Sequence, residues 1–216
     1  MTEAPSERTR VKRLNKRAKY DAETVHAILD AMPVCYVGYV FKGTPYVTPT
    51  LQWREGDHIY WHGSAASRML ETCDEADVCV TVTMIDGMVM ARAAFHHSCN
   101  YRSVMVMGKA HKVRDATEKE RRMKTFTDKL FPGRWDILRP VTAKELKATT
   151  MLSLSLDEAS AKVRNGPPGD DEEDYALPIW AGLIPMRTEI LAPTADGRNL
   201  PASQSRMCKY CNVSMQ

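Results

Sequence analysis

The chain has 216 residues, of which 44% are hydrophobic, enough to bury one core of ordinary to large size. A formal charge of +3 and a pI near 8.5 are too mild to specify nucleic acid as a partner, because specific binders concentrate a strongly basic face. No stretch approaches the roughly 18 apolar residues of a membrane span, and the first residues, MTEAPSERTR, lack the apolar centre of a secretory signal, so a cytoplasmic protein is expected. Six cysteines in a chain of this length do not form a disulfide framework; Cys35, Cys79 and Cys99 read as small buried groups.

In chain order, residues 8–19, RTRVKRLNKRAK, hold seven Lys or Arg in twelve positions, which reads as a solvated basic arm over residues 1–20. A helix follows at DAETVHAILDAM, with Asp21 as cap and Val25, Ile28 and Leu29 at helical spacing. PVCYVGYVF, TPYVTPTLQW and DHIYWH are β-rich runs separated by the turn signals KG and EGD, giving an antiparallel meander. GSAASRMLETC predicts a brief helix capped by Ser64. DVCVTVTMI and MVMARAAF read as two strands joined by a hairpin at Asp86-Gly87, and YRSVMVMGKAHKV as the strand after them.

DATEKERRMKTFTDKLF predicts a longer helix, with Thr117 and Glu120 at capping-box spacing and Glu118–Arg122 and Glu120–Lys124 as i,i+4 pairs. Its inner face is Met123, Phe126 and Leu130. A short helix at TAKELKA, the alternating TTMLSLSLDEASAKV, an acidic loop over 167–176 and a last strand within PIWAGLIPMRTEI complete a domain over 21–191. Residues 192–216 read as a tail. Its Cys208 and Cys211 form half a zinc site at most, and no metal is expected. Many short strands with inserted helices make the fold class mainly β, an antiparallel barrel, and the absence of GxGxxG after the first strand removes the simplest dinucleotide-binding reading.

In this order LDAMPVCYVGYV, PYVTPTLQW, IYWHGSAASRML, VCVTVTMIDGMVMARAAFHHSCNYRSVMVMGKA and IWAGLIPM resemble the flavin-nucleotide-binding relatives of pyridoxamine 5'-phosphate oxidase, near the nitroimidazole-resistance proteins. The likeness runs from about residue 8 to residue 191. It implies an FMN-binding split β-barrel that works as a homodimer, with the flavin between subunits and a small-molecule electron donor and acceptor. The arginine and histidine set with which the true oxidases hold pyridoxal phosphate is incomplete here, so oxidation of that vitamer is not expected.

The residues give the resemblance its chemistry. Ser64, Ser67 and Arg68 place two hydroxyls and a guanidinium at a predicted helix start, where a phosphate would be held. Tyr60 and His62 share one strand face beside that loop, and Thr48, Pro49 and Thr50 offer hydroxyls and an interrupted ladder to the rim of a flavin. The crowded stretch FHHSCNYRSVMVMG admits a metal, a cysteine nucleophile or a cofactor clamp; adjacent His96 and His97 on an extended segment point apart, which disfavours one ion.

By the resemblance, Arg102 and Ser103 contact ribityl or phosphate, Asn100 and Tyr101 frame the ring, and Trp180 approaches from the partner subunit. No side chain is required as acid or base, because the isoalloxazine carries the redox chemistry, and no catalytic residue is assigned. The expectation is an FMN-dependent oxidoreductase, nitroreductase-like or related. A flavin carrier or sensor without turnover, and a nucleic-acid accessory role for the arm, are the alternatives.

Overall fold

The structure, a computed structural model, describes residues 3–200. The strands are β1 (Ala18–Lys19), β2 (Val34–Phe41), β3 (Thr44–Glu55), β4 (His58–Ser64), β5 (Asp77–Met90), β6 (Ser98–Lys109), β7 (His111–Lys112), β8 (Thr149–Ser155), β9 (Ala159–Arg164) and β10 (Gly182–Pro185). The helices are α1 (Ala22–Ala31), α2 (Arg68–Cys73), α3 (Ala116–Leu130) and α4 (Ala143–Ala148). Among the described residues all strand pairs are antiparallel, in the order β1-β9-β6-β5-β2-β3-β4-β8-β7, with β10 on β5. This is the antiparallel barrel that the strand pattern anticipates, in the split-barrel form that the resemblance implies.

The barrel closes because alternate residues of each strand are apolar. Cys35 and Val37 of β2, Val80 and Val82 of β5, Val104 and Val106 of β6, and Leu152 and Leu154 of β8 all turn inward and are fully buried. Helix α1 plugs this core with Val25, Ile28 and Leu29, and its first turn is held where Asp21 accepts a 2.8 Å hydrogen bond from the Thr24 amide. A second, smaller cluster lies on the other face of the β3–β4–β8 sheet, where Trp53, Tyr60 and Met151 meet Met123 and Phe126 of α3.

Several local expectations change in the folded chain. Residues 77–90 form one strand, and Asp86-Gly87 is a bulge where the register with β6 shifts, not a hairpin. Tertiary pairing overrides the turn signal, since β6 holds one edge of β5 while β2 and β10 follow each other along the opposite edge. Ser64 ends β4 and accepts from the Ala66 amide at 3.2 Å; the N-cap of α2 is Ser67, whose side chain makes no capping bond. Asp115 caps α3 by accepting from the Glu118 amide at 2.8 Å, and Lys124 pairs with Asp128 and Asp136 rather than Glu120.

Two charged segments read as solvated are docked instead. Arg8 reaches Glu158 and Asp77, the Val11 amide donates to the Tyr20 hydroxyl at 2.9 Å, and Ala18–Lys19 pairs with β9. In the acidic loop the Asp170 side chain is completely covered and takes bonds from the Arg92 amide (2.8 Å) and guanidinium (3.0 Å). Residues 192–200 are exposed without regular structure, and Cys208 and Cys211 lie outside the described residues. No helix among the described residues is long and apolar enough to cross a membrane.

Candidate functional site

The two-residue turn Lys42-Gly43 sets the register of β2 on β3, and that register builds one wall of the site. Val37 lies opposite Thr48 and Cys35 opposite Thr50, so both threonines share the core-side face, while Pro49 lies opposite exposed Tyr36 on the outer face. Tyr39 stacks on Tyr46 at 5.7 Å, and the Thr48 hydroxyl reaches the Tyr39 hydroxyl at 3.5 Å, the limit of a hydrogen bond. Helix α2 brings Arg68 to this wall. Its guanidinium lies 4.4 Å from the Tyr46 ring centroid and 5.2 Å from that of Phe41.

Arg68 makes no ion pair with a carboxylate among the described residues. The adjoining Ser67 hydroxyl makes no capping bond, and Ser64 is exposed beside it. An exposed, aromatic-braced guanidinium with a spare hydroxyl has the chemistry to accept an anion. With α2 only six residues long, the charge on Arg68 carries that attraction rather than the helix end.

The second group sits on β6. Tyr101 and Ser103 lie opposite Ile85 and Thr83 on the outer face, with Asn100 and Arg102 facing the other way. Asn100 is buried and bonded within the fold: its Oδ1 accepts from the Gly166 amide at 3.1 Å and from Arg164, and its Nδ2 donates to the Gly166 carbonyl at 3.2 Å. Arg102 forms a forked pair with Asp86, at 2.7 and 2.9 Å, which holds the bulge of β5. The Ser103 hydroxyl donates to the Lys162 carbonyl at 3.4 Å.

Tyr60 and His62 form a third group under α3. Tyr60 stacks on Trp53 at 5.5 Å beneath the Arg122 guanidinium at 4.2 Å, and burial raises its phenol pKa. His62 packs edge-on against Phe126 at 4.7 Å and Trp53 at 5.8 Å, burial lowers its pKa, and its buried Nδ1 has no protein partner. Trp180 is 66% exposed and folds over Gly182, where an added Cβ would lie 2.8 Å from the ring.

Thus Ser67 and Arg68 stand at the Tyr46 end of β3, with Thr48 and then Thr50 further along the same strand face, whereas Asn100, Tyr101, Arg102 and Ser103 are a separate group. Strands β2 and β5 stand between them, a separation of about 14 Å at ordinary strand spacing. Phe41 and Tyr46, which brace Arg68, were not anticipated. Their signal was the KG turn, which fixes which side chains of β2 and β3 end near one another.

Residues 21–163 match the family model described as pyridoxamine 5'-phosphate oxidase. No curated protein matches the chain. Among solved structures, the flavocytochrome Anf3 from Azotobacter vinelandii is 55% identical, with a TM-score of 0.90 over 93% of this chain and 94% of its own. An FAD and haem binding protein from Mycobacterium smegmatis is 36% identical, with a TM-score of 0.80 over 89% and 97% of the two chains. A chain from Bacteroides thetaiotaomicron, described as a 5-nitroimidazole antibiotic resistance protein, shares the fold at 21% identity and a TM-score of 0.55, over 68% of this chain and 86% of its own. On the family match and these identities, the chain belongs to the pyridoxamine 5'-phosphate oxidase family.

Proposed function

We propose that this protein binds a flavin nucleotide, FMN or its dinucleotide form FAD, between the two subunits of a homodimer and works as an oxidoreductase on a small-molecule electron acceptor. The observation that carries the reading is Arg68, an arginine braced by Tyr46 and Phe41 and paired with no carboxylate among the described residues. A flavin supplies hydride or single-electron transfer when bound. This chain's part is to hold its phosphate with Arg68 and Ser67 and to present the Thr48 and Thr50 hydroxyls to its polar edge.

The separation of the two groups supports the homodimer. Tyr101 and Ser103 face outward from β6 whereas Thr48 and Thr50 lie on the core-side face of β3, and a second copy is the economical source of a wall that faces the same ligand. The outer face suits a partner: Tyr36, Val47, Leu51, Ile85 and Met105 are all at least 41% exposed and apolar on neighbouring strands. Such a patch on a folded domain marks an interaction surface.

A second reading adds haem beside the flavin, favoured by His62 and by the descriptions of the two relatives above. A histidine would hold haem iron through a neutral imidazole nitrogen, and burial between aromatic rings favours the neutral form of His62. By contrast His26, His96 and His111 each face a carboxylate.

The visible spectrum of the purified protein tests both readings. Flavin bands, with FMN or FAD released on denaturation, are expected, and a Soret band lost in His62→Ala identifies the haem. A colourless protein that takes up neither flavin overturns the proposal. Consumption of reduced nicotinamide with an added acceptor separates the oxidoreductase from a flavin carrier.

A further inference from the structure

The turn between β2 and β3 carries a residue that local backbone chemistry does not favour. Lys42 and Gly43 both have positive φ, 50° and 77°, as a two-residue hairpin turn of this hand requires. Glycine serves the second position. The first is the place for Asn, Asp or Gly, whose short or absent side chains tolerate the left-handed region, yet here it holds a lysine.

The placement of the ammonium gives that lysine a use. Lys42 Nζ lies 5.4 Å from the centroid of the Phe41 ring, the same ring that Arg68 approaches at 5.2 Å. Two cations therefore stand within about 11 Å of each other around one aromatic side chain. Neither is paired with a carboxylate among the described residues. By comparison Arg8, Arg54, Arg92, Arg102, Arg121 and Arg122 each hold an aspartate or glutamate. Two exposed cations at this spacing repel only weakly in water, and both can reach one anion that arrives between them.

We infer that Lys42 is a second cation of the phosphate site, closing over the flavin's phosphate ester from the hairpin tip while Arg68 holds it from α2. The inference rests on the flavin reading above and deepens it. Phosphate is the shared chemistry of FMN and FAD, and riboflavin, which has the same ring and no phosphate, is the natural control.

The test uses the full-length protein stripped of cofactor and titrated with riboflavin, FMN and FAD. Lys42→Asn suits the turn at least as well as lysine does, so folding is preserved and a thermal melt verifies it. The expected result is at least a tenfold loss of affinity for FMN, FAD or both, an unchanged riboflavin affinity, and a shallower salt dependence of nucleotide binding. Loss confined to FAD places Lys42 on the outer phosphate of the dinucleotide, and equal loss for both places it on the phosphate they share. A variant that keeps the parent's preference for FMN and FAD over riboflavin overturns the inference while leaving the flavin reading intact. A parent protein that binds none of the three overturns the flavin reading, and this inference with it.

Discussion

Arg68 illustrates how one side chain can be nearly neutral for folding and decisive for binding. It is exposed, so the packing lost in Arg68→Ala is a pair of surface contacts with Tyr46 and Phe41, on the order of 0.5–1 kcal/mol each for such cation–π contacts. The lost hydrogen bonds to a phosphate are charge-assisted and contribute about 1.5–3 kcal/mol, or roughly 10- to 150-fold in affinity. Arg68→Ala is therefore expected to melt within a few degrees of the parent while retaining little flavin, and Arg68→Lys to fall between. Flavin content measured after gel filtration checks this, and an undiminished content would remove Arg68 from the site. At this scale the sequence was informative where chemistry is local: the serine–arginine turn is visible in SAASR. It was silent on Asn100, whose amide is occupied by Gly166 and Arg164, because that partnership spans more than sixty residues and leaves no local mark.

Among the elements, α3 shows how a mostly polar helix is fastened over an apolar patch. None of its residues is fully buried, yet Met123 and Phe126 cover Trp53 and Tyr60. Arg121 and Arg122 both bond Glu118 on the helix and Glu55 on β3, tying the helix to the sheet. The forked bond from Arg121, reinforced by Arg122, holds the Glu118 carboxyl down at about 2, against 4.5 for a free side chain. Because the folded value lies below the unfolded one, this contribution is present above pH 4.5 and is lost as pH falls toward 2. Glu145, held at about 2 by Arg139 and the Thr142 cap, titrates across the same window.

Urea midpoints between pH 6 and 2.5 at low salt should thus fall steadily in the parent and more gently in Glu118→Gln, about 1 kcal/mol apart at the top of the range, since the pair is partly exposed and screened. Curves that stay parallel would mean that the network does not fasten α3. The helix itself was legible from its charge spacing and its Met123–Phe126 stripe. The bulge at Asp86-Gly87 was not, because the dipeptide that favours a hairpin in isolation is held straight by Arg102 and by close packing, with an added Cβ at Gly87 only 2.9 Å from the Ile184 carbonyl.

For the whole molecule, the strand order sets the Arg68 group and the Tyr101–Ser103 group three strands apart and on opposite faces of the sheet. Opposite the buried face of β2, β3, β5 and β6 lies an open one that carries Val47 at 69% exposure, Ile85 at 47% and Met105 at 42%. The use of that open face was not legible, since a sequence records alternation but not what the exposed face meets. If the outer face joins two copies, placing a charge in its centre leaves each barrel folded and separates the subunits: a carboxylate desolvated at an interface without a partner costs several kcal/mol, whereas on a free surface it costs little. Val47→Asp is the sharpest choice, because Val47 is opposite Gly38 in the register and its side chain packs against no core residue. The expected outcome is a halved mass by light scattering, a melting profile that remains cooperative, and flavin lost together with the dimer although Arg68, Ser67 and Lys42 are untouched. A monomeric variant that still retains its flavin would show that one chain completes the site, and a parent that is itself monomeric would dismiss the shared cleft.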